Sequence, residues 1–127
     1  MTPATTAVIM AAGLGMRMRP LTNDTPKPLL PVLGRPILEW NIEMLPPEIT
    51  EVILVVSYLA DKIRVHFGDS WGGRNIRYVE QPDLKGTGMA LKACEPMLAG
   101  RFIVMNGDDL YAREDIDACL NHELAIV

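Results

Sequence analysis

One stretch of this chain concentrates groups that can handle phosphate. An apolar run, Ala7-Val8-Ile9-Met10, leads through Ala11 and Ala12 into Gly13-Leu14-Gly15-Met16-Arg17, and the same loop goes on to Lys27. Glycines let backbone N–H groups come close to a phosphate and tolerate φ > 0. Arginine offers a fixed fork to phosphate oxygens, and lysine a mobile point charge. Either cation alone would pass for a solvated surface residue. Together, beside a glycine turn at a strand end, they point to an anion site.

Two familiar phosphate loops are excluded. No Gly-Lys-Ser/Thr follows the glycines, so this is not a Walker loop. The dinucleotide fingerprint needs a small third residue where Met18 stands and a helix starting there, and Pro20 disfavours helical geometry at Arg19.

Two further stretches carry polar groups at the ends of apolar segments. Gln81 closes the alternating run Asn75 to Gln81, and its amide can donate and accept at once. That matches the N–H beside a C=O on the pairing edge of uracil or thymine; on its own it is also an ordinary polar loop residue. Gly86-Thr87-Gly88 opens the next helix, where Thr87 also reads as a plain N-cap. Asp108 follows Asn106-Gly107. A carboxylate at a strand end near phosphates suits Mg²⁺, which takes one or two carboxylates plus phosphate oxygens. Taken alone it would be an Asp in a turn; Asp109 is its neighbour, and Asp108 is preferred because it directly follows Gly107.

The elements that must position these groups alternate. Thr6 to Ala11 reads as a buried central strand, apolar without alternation. Gly13 to Pro31 reads as a long loop in which Pro20, Pro26, Pro28 and Pro31 forbid a regular helix. Pro36 to Leu45 reads as a helix with Asn41 as the single break in its apolar stripe, stopped by Pro46-Pro47. Strands follow at Glu51 to Ser57, Asn75 to Gln81 and Arg101 to Asn106. Helices follow at Leu59 to Phe67 (capped by Gly68), Gly86 to Leu98 and Glu114 to His122. Leu124 to Val127 reads as the beginning of a fifth strand. The pattern predicts an α/β fold, a doubly wound, mostly parallel, Rossmann-like sheet in three layers (α/β/α), incomplete at its C-terminal end. In such sheets ligands lie beyond the carboxyl ends of the strands. That is where Gly13–Lys27, Gln81–Gly88 and Gly107–Asp109 are expected to converge.

The bulk numbers agree. The 127 residues suit one domain, and 49% apolar residues supply a core. A net charge of −4 argues against a nucleic-acid binder held by a basic surface. Cys94 and Cys119 lack metal or C-x-x-C spacing and read as reduced thiols in helices. No charged leader and no run approaching the ~20 apolar residues of a membrane span is visible, so a cytoplasmic protein is expected. Trp40, Trp71, Tyr58 and Phe67 read as core or half-buried residues, and His66 and His122 as helical residues with no partner in view.

At this point the residues resemble the sugar-1-phosphate nucleotidyltransferases, also called nucleotide-sugar pyrophosphorylases. Their signature, a strand, G-x-G-T-R and then P-K-x-L-x-P-V, stands here as Gly13-Leu14-Gly15-Met16-Arg17 and Pro26-Lys27-Pro28-Leu29-Leu30-Pro31-Val32, followed by Gly34-Arg35-Pro36. Gln81 through Gly86-Thr87-Gly88 and Asn106-Gly107-Asp108 match further elements. The overall look is nearest to glucose-1-phosphate thymidylyltransferases and N-acetylglucosamine-1-phosphate uridylyltransferases. The resemblance implies attack of a sugar-1-phosphate on the α-phosphorus of a nucleoside triphosphate, with Mg²⁺ as cofactor and release of pyrophosphate.

By the same resemblance Arg17 and Lys27 are the catalytic residues. Ala12, Gly13, Leu14, Gly15, Gln81, Gly86 and Thr87 bind the nucleotide, and Asp108 holds Mg²⁺. Gln81 favours UTP or dTTP. Met16 stands where the family usually has Thr, which is expected to tune activity.

The family's second metal-binding acid and most of its sugar pocket come from sequence beyond this chain. Residues 1–127 are therefore expected to be the nucleotide-binding part of one catalytic domain, forming a homo-oligomer or associating with the C-terminal part, without nucleic-acid or membrane partners. Two other readings compete with this one. A non-catalytic regulatory or assembly subunit of the same fold would be favoured by loss of Arg17 or Lys27, and both are present. A response-regulator-like module needs an acidic cluster after the first strand, where this one is basic.

Overall fold

A computed structural model describes residues 3–12, 19–81 and 87–122. Gly13, Leu14, Gly15, Met16, Arg17 and Gly86 lie outside the described residues, as do Leu124 to Val127.

Strands β1 (Thr6–Ala11), β4 (Glu51–Val56), β6 (Arg74–Glu80) and β7 (Phe102–Asn106) form one parallel sheet. A two-residue strand, β5 (Ser70–Trp71), adds an antiparallel edge, giving the order β5-β6-β4-β1-β7. β1 and β4 are apolar on both faces because both faces are covered. Ala7, Ile9 and Ala11 point to one side with Val52, Leu54 and Val56, and join Leu38, Ile42, Ile63, Phe67 and Ile116 in the larger core. These come from helices α1 (Ile37–Glu43), α2 (Ala60–Phe67) and α4 (Arg113–Leu120). Val8, Ile53 and Val55 point to the other side and pack against Ala90 of α3 (Thr87–Ala93) and Cys94 just beyond it. The expected three-layer α/β/α sandwich is present.

The direction of winding matters for function. From β1 the chain steps to β4 and then β6 on one side, and then crosses back to place β7 on the other side of β1. The crevice beyond the carboxyl ends of β1 and β7 is therefore the topological switch point, where open α/β sheets bind ligands.

Several boundaries differ from expectation, each for a local reason. The long loop is not structureless: Lys27–Leu29 forms a 3-10 turn, and β2 (Pro31–Val32) pairs with β3 (Arg35–Pro36). The two-residue turn between them holds Leu33 and Gly34 at φ 51° and 81°, the positive-φ pair of a type I′ turn. This hairpin claims Pro36, so α1 starts at Ile37 with Pro36 as its N-cap. A second such turn, Gly72-Gly73 (φ 61° and 79°), creates β5 and starts β6 one residue early. α3 ends at Ala93 rather than Leu98, and Glu95–Met97 continues as a 3-10 turn. Pro96 has no N–H and its ring would collide with the Lys92 carbonyl of a continuous helix. Gly68 caps α2 at φ 62°, as expected.

Candidate functional site

The central observation joins two residues 81 positions apart: Lys27 Nζ donates to Asp108 Oδ2 at 2.9 Å. Lys27 arrives on the 3-10 turn after β1, and Asp108 on the turn after β7, so both reach the switch-point crevice. Their side chains are 36% and 44% exposed, accessible enough to exchange partners with a ligand.

Each partner is delivered by a braced backbone. On the Lys27 side, the turn closes through Leu29 N–H to Pro26 O and Leu30 N–H to Lys27 O. It is tied to α1 by Ile37 N–H to Leu30 O and by Trp40 Nε1 to Val32 O at 2.8 Å. Upstream, the Tyr58 hydroxyl meets the carbonyls of Thr22 and Asn23 at 2.9 and 3.0 Å, and Lys62 Nζ donates to the Asp24 carbonyl. The β4–α2 connection, with Leu59 at φ 54°, thereby fastens the segment that leads from Arg19 to Lys27.

On the Asp108 side, Gly107 N–H donates to Met10 O at 2.8 Å, extending the β1–β7 pairing past the strand end. A Cβ at Gly107 would sit 2.8 Å from that same oxygen, which explains why glycine precedes the carboxylate. Asn106 N–H donates to the Tyr111 hydroxyl, and Asn106 Nδ2 reaches Asp109 Oδ2 at 3.4 Å. Asn41 Nδ2 donates to Asp109 O at 2.7 Å.

Gln81 is nearly buried at the carboxyl end of β6, its N–H bonded to Val56 O at 2.9 Å. β4 lies between it and β1, so it stands two strand spacings, roughly 10 Å, along the same sheet edge. Ala12 is buried at the end of β1, and Thr87 is the first residue of α3. Arg17, Gly13, Leu14, Gly15 and Gly86 cannot be placed, since they lie outside the described residues. The structure thus brings Lys27, Asp108 and Ala12 to the switch point and Gln81 to the same edge. Sequence reasoning gave no role to Tyr58, Lys62 or Asn41; only the break that Asn41 makes in the α1 stripe was a signal.

Among the described residues, no group of three His, Cys, Asp or Glu gathers as a self-sufficient metal cage. The donor set at the crevice, one exposed carboxylate with a second beside it, fits a hard cation that completes its shell with phosphate and water. It fits Mg²⁺ in that sense, through Asp108.

Other groups are scaffold. Arg35 bonds Glu43 through both NH groups at 2.8 and 2.7 Å and Glu39 through Nε at 3.0 Å, and stacks on Trp40 at 4.6 Å. These carboxylates hold its pKa above the ordinary value, and Arg35 in turn holds Glu43 below the usual carboxylate range. His66, expected to be unpartnered, sits 2.6 Å from Glu39. His122 lies just past α4, and its carbonyl accepts from Arg101. Cys94 and Cys119 are free thiols, and burial pushes Cys94 up. A shallow apolar hollow of about 430 Å³ between α3 and β7 is lined by Leu91, Leu98 and Phe102, and Lys27 and Asp108 take no part in it.

A nucleotidyl transferase family model matches residues 6–124. The chain is 37% identical to the bifunctional protein GlmU of Methanococcus maripaludis, over 94% of this chain and 28% of that protein. It is 43% identical to the N-acetylmuramate alpha-1-phosphate uridylyltransferase of Neisseria meningitidis (87% of this chain, 48% of that one). It is 38% identical to the D-glycero-alpha-D-manno-heptose 1-phosphate guanylyltransferase of Campylobacter jejuni (87% and 49%). Among solved structures, a putative glucose-1-phosphate thymidylyltransferase from Bacillus anthracis superposes with a TM-score of 0.82 at 27% identity, over 93% of this chain and 51% of that one. The chain thus spans about half, or less, of the length of these relatives.

Proposed function

This chain belongs to the nucleotidyl transferase family, and on that premise we propose that it carries the nucleotide-binding part of a sugar-1-phosphate nucleotidyltransferase. The observation that supports this most is the Lys27–Asp108 pair at the switch point. In the proposed reaction an oxygen of the sugar-1-phosphate attacks the α-phosphorus of a nucleoside triphosphate. The new P–O bond forms as the bond from the α-phosphorus to the bridging oxygen breaks, and pyrophosphate leaves with that electron pair. No protein nucleophile is required; the work is positioning and charge stabilisation.

Lys27 releases Asp108 as the phosphates arrive and donates to the α-phosphate, with Arg17 and the Ala12–Gly15 backbone on the remaining phosphate oxygens. Asp108 holds Mg²⁺, which when bound neutralises phosphate charge. Before the nucleotide arrives the Lys27 ammonium occupies the Asp108 carboxylate, and contact of Lys27 with phosphate would free that carboxylate to hold a cation. Gln81, with its paired donor and acceptor at the edge, supports a uracil or thymine base. The relatives include uridylyl- and guanylyl-transferring enzymes, so the choice of UTP or dTTP rests on Gln81. A cytoplasmic setting is part of the proposal, and two cysteines without a disulfide are compatible with it. Completion of the sugar pocket by a C-terminal part or a second subunit is proposed with it; the chain's partial span of its relatives supports this reading.

Pyrophosphate release tests this. With Mg²⁺, UTP or dTTP and a sugar-1-phosphate, the protein is expected to turn over, faster than with GTP. Arg17→Ala is expected to lower the rate by about two orders of magnitude or more. Unchanged turnover in Arg17→Ala would overturn the assignment of the loop.

A further inference from the structure

We propose that Asn41 is a positioning residue for the Asp108 carboxylate, acting from the core of α1 through the carbonyl of Asp109. Asn41 has 0% exposure in a helix whose other inward residues are Ile37, Leu38 and Ile42. Every local consideration favours leucine there. Asparagine is a poor helix-interior residue, its burial is costly, and its Oδ1 has no hydrogen-bond partner among the described residues. What asparagine supplies is one contact, Nδ2–H to Asp109 O at 2.7 Å, made to the residue after the proposed metal ligand.

That contact spans the site. α1 is bonded to the Lys27 segment through Ile37 N–H to Leu30 O and Trp40 Nε1 to Val32 O. Through Asn41 the same helix grips the turn after β7. The amino-terminal side of that turn is held by β1, through Gly107 N–H to Met10 O. Its far side has the Asn41 contact, and the next residue, Leu110, is 56% exposed. With both sides fixed, Asp108 between them faces Lys27; with the Asn41 contact gone, the turn loses its tie to α1 and keeps Gly107 N–H to Met10 O, Asn106 N–H to the Tyr111 hydroxyl and the 3.4 Å contact of Asn106 Nδ2 with Asp109 Oδ2. Ligand-orienting residues of this kind act on metal affinity without touching the metal.

The inference rests on the proposed role of Asp108, and the test separates the two. Mn²⁺·UTP is titrated into the whole chain and into Asn41→Leu, Asn41→Ala and Asp108→Ala. The readouts are calorimetric affinity and paramagnetic broadening of the Asp109 and Leu110 amide signals, with metal-free UTP in EDTA as the reference. Asn41→Leu is expected to weaken Mn²⁺·UTP by about tenfold and to reduce the broadening, while metal-free UTP binds as before. Asn41→Ala decides in the same way if the leucine variant does not fold. A merely structural cross-link would lower thermal stability and leave the Mn²⁺·UTP affinity at the wild-type value; that result overturns the proposal. Loss in Asp108→Ala without loss in either Asn41 variant refutes the positioning role and leaves the proposed function standing. No change in Asp108→Ala overturns the reading on which both depend.

Discussion

Two ion-pair regions of this molecule use the same chemistry to opposite ends. Around Arg35 the contacts are multiple: two bonds to Glu43, one to Glu39, a stack on Trp40, and His66 closing on Glu39 from α2. This cluster ties the β2–β3 hairpin, α1 and α2 together and has little left to offer a ligand. At the switch point, Lys27 and Asp108 meet through one contact between two half-exposed side chains. There the bracing lies in the backbone, at Leu29, Leu30, Gly107 and Asp109, and the charged heads are left exchangeable. A multiply bonded network builds a scaffold. A single pair on rigid supports, placed where the sheet changes direction, builds a site.

The contrast predicts a graded set of outcomes. Lys27→Ala is expected to cut pyrophosphate release by about 10²- to 10³-fold. Because an exposed ion pair contributes at most about 1 kcal/mol, its thermal unfolding should stay close to wild type. A large loss of stability with intact turnover would reverse the assignment of scaffold and site.

Gly107→Ala comes next. Its Cβ would meet Met10 O at 2.8 Å, so the β1–β7 edge must shift. Destabilisation of about 1–3 kcal/mol is expected, together with weakened metal·triphosphate binding, measured by denaturant titration and calorimetry. If the affinity survives, the turn is less firmly coupled to Asp108 than its bonds imply.

Arg35→Ala should do the reverse of Lys27→Ala, lowering the thermal midpoint and sparing turnover. The sign with pH follows from Glu43, whose carboxyl is held below its ordinary 4.5 by Arg35. That stabilisation is present above the ordinary value and is lost as pH falls through the lowered one. The gap in midpoint between wild type and Arg35→Ala should therefore be full at neutral pH and close in strong acid. A gap that widened in acid would mean that another group carries the stability.

The smallest effect is expected at the hairpin tip. Leu33 is 88% exposed at φ 51°, a conformation that asparagine tolerates better. Leu33→Asn should raise stability by about 0.5 kcal/mol without touching turnover.

Much of this was legible in the residues, because the strongest signals are local. The apolar runs of β1 and β4, the glycine cap of α2 and the basic loop after β1 all declare themselves within a few positions. The two hairpins lack a sequence signal, because each of their turns, Leu33-Gly34 and Gly72-Gly73, leads from a strand of only two residues, too short for periodicity to register. The apolar pattern runs on through Pro96 and predicts a longer α3, but backbone sterics at Pro96 override periodicity. His66 seemed unpartnered because Glu39 lies on another helix. For the site, residue types nominated Lys27 and Asp108 separately, and only the winding of the sheet could set them 2.9 Å apart. Asn41 shows the boundary: sequence marks it as a misfit in an apolar stripe, and its partner, a backbone carbonyl beyond β7, has no sequence signature.

The most direct test of the central claim is calorimetric titration of Mg²⁺·UTP into this chain and into its Lys27→Ala variant. Wild type is expected to bind with measurable heat, dTTP comparably and GTP more weakly. Lys27→Ala is expected to bind at least about tenfold more weakly, the loss of a charge-assisted phosphate contact. Equal affinity in the two proteins, or no binding of any of the three triphosphates to wild type, would contradict the claim that Lys27 and Asp108 frame a triphosphate site in this chain.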